Sequence, residues 1–189
     1  IPEYVSAMML AVSMMFLRFM ILILIFSTSI FLNIYPYLLI MSATAAGIGI
    51  FIHKKHTIKG EREVIEETET ESNPLEFKVA LIFALLFVVF TFLTHYTLVY
   101  AGTGGLSILS IATGLSDITP FILNLLQGGN IPATIVGACI MQAIISNIVV
   151  NMFYAIFFSS RRKEMLPYVW KGFLTVIGVN AVLLLIYYF

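Results

Sequence analysis

Few residues in this chain could do chemistry, and they sit where chemistry is expensive. Ser116, Asp117 and Thr119 fall in the run Gly114-Leu-Ser-Asp-Ile-Thr-Pro120, between two apolar stretches. Carboxylate and hydroxyl oxygens, aided by carbonyls freed near Gly114, suit a hard cation such as Mg²⁺, Na⁺ or K⁺. One carboxylate alone does not choose among those ions. The same residues also suit a structural task, because side-chain oxygens ahead of Pro120 can cap a new helix.

Arg18 lies deep in an apolar segment, where it can balance Asp117, bind an anion, or snorkel to the interface. Gln142, Ser146, Asn147 and Asn151 follow one another at helical spacing and share a face. They can form hydrogen bonds between helices, or they can line a polar pathway.

Other candidates carry less. His95 stands beside Tyr96 and near Tyr100, a pattern that reads as a helix end reaching the interface. His53 and His56 keep company with Lys54 and Lys55, which suits anionic-lipid contact better than a metal. Cys139 has no second thiol and reads as packing. Gly102, Gly104 and Gly105 lack the lysine of a phosphate-binding loop and read as a turn between helices. No HExxH, GxSxG or paired-Asp helix motif is present, so an intramembrane enzyme is not expected.

The elements that must position these residues are set by composition. Of 189 residues, 60% are hydrophobic and 11% charged, against about 25% charged in a soluble domain. Ten basic and ten acidic residues cancel, leaving no electrostatic footprint for nucleic acid. Lipid is the expected solvent, and a cell (inner or cytoplasmic) membrane the expected location. A bilayer core of roughly 30 Å needs about 20 apolar residues per helix.

Five to six membrane segments meet that length, so the expected fold is all-α, a polytopic transmembrane helix bundle. Residues 1–52 read as a transmembrane helical hairpin, Tyr4 to Phe26 and Ile34 to Ile52, turning at Asn33 and the Tyr-Pro-Tyr of 35–37. Residues 53–74 read as a charged cytoplasmic linker, solvated and partly helical. Residues 75–189 read as a bundle of three to four segments, with one broken or re-entrant near 106–126. The opening Ile-Pro-Glu-Tyr has neither an initiator Met nor a basic n-region, which reads as a piece of a longer protein. Its expected partners are the bilayer and either a missing N-terminal membrane half or a homo-oligomer partner.

The positive-inside rule exposes a conflict. It wants Lys54-Lys55 and Arg161-Arg162-Lys163 on the same side, yet three full crossings between them would place them on opposite sides. A re-entrant fourth segment, leaving on the side it entered, removes the conflict. Either topology places the break inside the bundle, because irregular backbone does not face lipid. A faint repeat, Ala11 to Arg18 against Ile144 to Asn151, each with a Ser followed five residues later by a polar group, fits the repeat architecture of transporters.

The stretch from Asn73 to Leu86, then Gly114-Leu-Ser-Asp117, then Ser146-Asn147, together with Arg18, resembles the C-terminal membrane domain of MgtC/SapB-type proteins. That region is catalogued as domain of unknown function 4010. The resemblance implies a multi-pass inner-membrane protein linked with magnesium homeostasis, and no demonstrated activity. The family often has a second Asp where this chain has Thr119, and a Lys where it has Asn151. Small-ion transport or ion homeostasis around Asp117 is the expected function. The alternative is a non-transporting regulatory or assembly subunit whose charged linker contacts a partner.

Overall fold

The computed structural model describes residues 2–56, 75–128, 131–157 and 162–188. They form α1 (Pro2–Phe26), α2 (Thr28–His56), α3 (Leu75–Thr113), α4 (Thr119–Gln127), α5 (Ala133–Phe157) and α6 (Arg162–Tyr188). Five of these, all but α4, are long and apolar enough to cross a membrane. Each pairs its backbone N–H and C=O groups within its own ladder, which is the condition for crossing lipid. The nine residues of α4 reach only about 13 Å, too short to span. The all-α bundle is as expected, whereas the linker over 57–74 lies outside the described residues.

The α1–α2 hairpin closes without a loop. Ser6 Oγ donates to the Gly49 carbonyl at 2.7 Å, and Ser13 and Ser42 hydroxyls meet at 3.0 Å, so the antiparallel register centres on Ser27 and Thr28. Ser27 Oγ accepts from the Ile30 N–H at 3.4 Å and caps the new helix. The turn expected at 35–37 is therefore displaced: Pro36 lies inside α2. Within a membrane bundle proline is tolerated in a helix, because neighbours answer the freed carbonyl. Tyr35 stacks on Phe31 instead, with ring centroids 5.5 Å apart.

Straight, the 39 residues of α3 would run about 58 Å, nearly twice the hydrocarbon thickness. Gly102 breaks it, with φ 60 and ψ −152. Residues eight apart on a straight helix are about 12 Å apart along the axis. Here a Cβ on Gly105 would lie 2.8 Å from Thr97 Cγ2, so the chain folds back on itself. The turn expected across Gly102, Gly104 and Gly105 contracts to this single corner, and helix resumes at once.

After the corner, residues 103–113 descend beside α5. Thr103 and Gly104 share a cavity wall with Thr134, Ser110 meets Gln142, and the Gly114 carbonyl meets Asn147. The numbering advances together, so the two helices run parallel. The chain then turns over 114–118, and α4 returns along the first half of α3. Phe121 packs on Phe90 at 5.9 Å, and Asn124 bonds Thr91. The segment over 106–126 thus enters and leaves at one end: it is re-entrant.

Asn147 stands 14 residues from the start of α5 and ten from its end, so the tip lies near mid-depth. Met9 packs on Gly172 and Ser6 bonds Gly49, so the α1 start, the α2 end and the first turns of α6 share the opposite end. Lys54 and the Arg162 at which α6 begins are consequently on one side, as the positive-inside rule requires.

Candidate functional site

The re-entrant tip gathers the residues singled out above. Thr119 donates to Asp117 Oδ1 twice, from its backbone N–H at 2.9 Å and its hydroxyl at 2.7 Å. Arg18 Nη2 donates to the same Thr119 hydroxyl at 2.6 Å, with its guanidinium 5.1 Å from the Phe19 ring centroid. A relay Arg18–Thr119–Asp117 therefore links α1 to the tip across 101 positions of sequence. The N-cap of α4 is Ile118, with no side-chain cap bond, and Asp117 just before it takes only the Thr119 N–H; both of its bonds use one carboxylate oxygen.

Ser116 stands apart from this relay. Its hydroxyl donates back to the Thr113 carbonyl at 3.1 Å, in the last turn of α3. The expected oxygen trio of Asp117, Ser116 and Thr119 is thus reduced to a bonded pair, with a guanidinium on one side of it. Among the described residues no group of three or more His, Cys, Asp or Glu side chains could hold a metal.

The tip also departs from the expected enclosure. Ile118, Pro120 and Phe121 are buried, but Leu115, Ser116 and Asp117 are exposed on the outside of the single chain, as is Arg18. The cause is the amphipathic α4: turning Phe121, Ile122 and Leu125 into the core leaves the preceding turn on the surface.

The α5 polar face binds the hairpin. Ser146 Oγ donates to the Ile111 carbonyl at 2.6 Å, and Asn147 Nδ2 to the Gly114 carbonyl at 3.4 Å. Asn151 Nδ2 extends the line to Asn147 Oδ1 at 3.2 Å. The Ile111 carbonyl thereby accepts a second bond beside that from the Gly114 N–H at 3.2 Å, and the Gly114 carbonyl, beyond the helix end, is answered. Higher up, the Ser110 hydroxyl is shared between the Ser107 carbonyl and Gln142 Oε1, and Gln142 Nε2 donates to Tyr188 at 3.2 Å. Ser107 and Ser110 were not anticipated, although their spacing of three already placed them on one face. Close approach at Gly114 makes this seam possible, since a Cβ there would strike Ser146.

Cavities open at several places among the described helices. One of about 400 Å³ lies between α1, α5 and α6, lined by Met15, Asn151 and Tyr154, on the side of the basic helix ends. A second, of about 430 Å³, opens at the other end between Thr103, Ser107, Thr134 and Tyr188. A third, of about 340 Å³, lies between α3 and α4, lined by Thr91, Thr94, His95, Asn124 and Gln127. The Thr94 hydroxyl there is buried without a partner among the described residues. Cys139 is buried and free, as its setting implied.

The sequence profile of a family described as a domain of unknown function, DUF4010, matches residues 1–159. The chain belongs to the DUF4010 family. This DUF4010 chain is also 24% identical, over 153 residues, to a protein of Aquifex aeolicus (strain VF5) described as an uncharacterized protein. The match covers 79% of the chain and 63% of that relative, so the chain spans somewhat less than two thirds of its length. No solved structure matches. The matched residues of the DUF4010 chain take in α1 to α5, and with them Arg18, the whole re-entrant hairpin and the α5 polar face.

Proposed function

We propose that this DUF4010 chain is the ion-handling part of a membrane transport protein, with Asp117 at the re-entrant tip as the group that meets the ion. One observation carries the reading: the chain breaks near mid-depth, and the break carries a carboxylate linked through Thr119 to a guanidinium, with a cavity on the basic side of the bundle and cavities towards its other end. The polar line along Ser110, Gln142, Ser146, Asn147 and Asn151 supplies a wettable seam between those cavities. Ionisable groups at such depth are costly and normally mark ion or proton routes.

The Arg18 guanidinium selects among ions. It already offsets the Asp117 charge through Thr119, so a divalent ion at the carboxylate would meet a fixed positive charge close by. A proton or a monovalent cation fits the pair better than Mg²⁺. Ion homeostasis is the wider setting implied by the MgtC/SapB resemblance, and Mg²⁺ therefore belongs in the test.

Flux of H⁺, Na⁺, K⁺ and Mg²⁺ into proteoliposomes tests the reading, with Asp117→Asn as the diagnostic variant. The carboxamide retains an oxygen for the Thr119 N–H, so that bond survives while the charge is lost. Without the carboxylate charge nothing at the tip attracts the desolvated ion, so flux should fall to the level of empty vesicles. Unchanged flux in the variant would leave Asp117 a structural role only. Absence of flux for all four ions in the native protein would end the transport reading.

A further inference from the structure

Two opposite charges at mid-depth are exposed on one face of this chain, and neither is fully answered within it. Asp117 uses only Oδ1 among the described residues, and Arg18 reaches it only through the Thr119 hydroxyl. Lipid cannot satisfy the rest, since a charged group facing acyl chains is strongly disfavoured. Around Arg18, α1 turns outward a stripe of Ala7, Ala11, Met14, Ile21 and Ile25. With Arg18 included, the spacings alternate four, three, four, three and four, the seam periodicity of two helices packed at a shallow angle. Ala7 and Ala11 are small residues four apart, which lets another helix approach closely.

We propose that a second copy of this chain covers that face, with Asp117 of each copy paired to the partner's Arg18. The charges themselves argue for this occupant, because the patch is complementary to itself. In a two-fold interface, residue i meets j and j meets i, so one exposed Asp beside one exposed Arg yields two reciprocal pairs. Depth agrees. Both residues bond Thr119 and so lie at one level. The basic helix ends fix a single orientation in the membrane, so the two-fold axis runs along the bilayer normal and keeps depths equal. This inference concerns assembly, and it stands whether or not the chain moves ions.

Mixing single variants separates pairing between chains from pairing within one. Arg18→Asp gives a chain with two negative charges at the interface, and Asp117→Arg one with two positive charges. Carrying different affinity tags and expressed alone, each should lose self-capture from detergent extracts. Co-expressed, they should capture one another, because every contact between chains is again opposite in sign. A second measurement leaves the charges untouched: Met14→Cys in a Cys139→Ser background should form dimers with a short bis-maleimide in membranes. Val79→Cys, on the exposed outer side of α3, should not. Self-capture that ignores the charges, or no mutual capture together with no cross-link at Met14→Cys, would overturn the proposal.

Discussion

Gly102 and Gly114 each hold a conformation or a contact that no other residue supplies at equal cost. Gly102 is the single described residue with positive φ, at 60. Gly102→Ala should lower thermal stability by roughly 1–3 kcal/mol, the cost of holding an L-residue at φ 60, ψ −152, a region that essentially only glycine adopts. Gly114→Ala should cost roughly 1–3 kcal/mol, because its Cβ would strike Ser146 at the seam. A melting curve in detergent checks both, and unchanged midpoints would mean that the corner and the seam relax freely. Asp117 and Arg18 were legible from sequence because charge in an apolar run is rare. A link between them was one of the readings open to the sequence; that it runs through the hydroxyl of Thr119, read there as an ion ligand, was not. Ser116 was misplaced for a local reason: at a helix C-terminus a serine hydroxyl readily turns back to the carbonyl three residues earlier.

The re-entrant hairpin is the element on which topology turns, and labelling tests it directly. Thr103 and Gln127 flank it and are exposed at the end away from the basic residues. In a Cys139→Ser background, Thr103→Cys and Gln127→Cys should react with an impermeant maleimide from the same side. Lys54→Cys and Leu166→Cys should react from the other. Thr103 and Gln127 labelling from opposite sides would mean that the segment crosses. Helices were readable because length and apolarity in lipid leave little choice of structure. Corners were less so. Pro36 and the Gly102 to Gly105 cluster are breakers in water, whereas here one is absorbed into α2 and the other narrows to a single residue. Conflicting basic loops had already pointed to a re-entrant segment, and the parallel course of 103–113 with α5 supplies the geometry.

Across the whole molecule, the cavity between α1, α5 and α6 offers the approach to the tip from the basic side. Met15 lines it and lies off the outward stripe of α1. Met15→Trp should fill much of the cavity and cut any flux while leaving the melting midpoint unchanged, because the added ring enters open space. Full flux in that variant would place the route elsewhere. Composition made the bilayer legible, but it could not reveal that the tip lies on the outside of a single chain. That follows from how α4 buries its apolar side. The distance in sequence between Arg18 and Thr119 has a last consequence, for biosynthesis. A ribosome delivers α1 about a hundred residues before the hydroxyl that receives its guanidinium. During that interval the arginine has no resident acceptor at mid-membrane, so the nascent hairpin must ride with it drawn toward a headgroup or a chaperone. The relay then waits on the delivery of α4, and faulty insertion of that hairpin would strand a bare cation in the newly made α1.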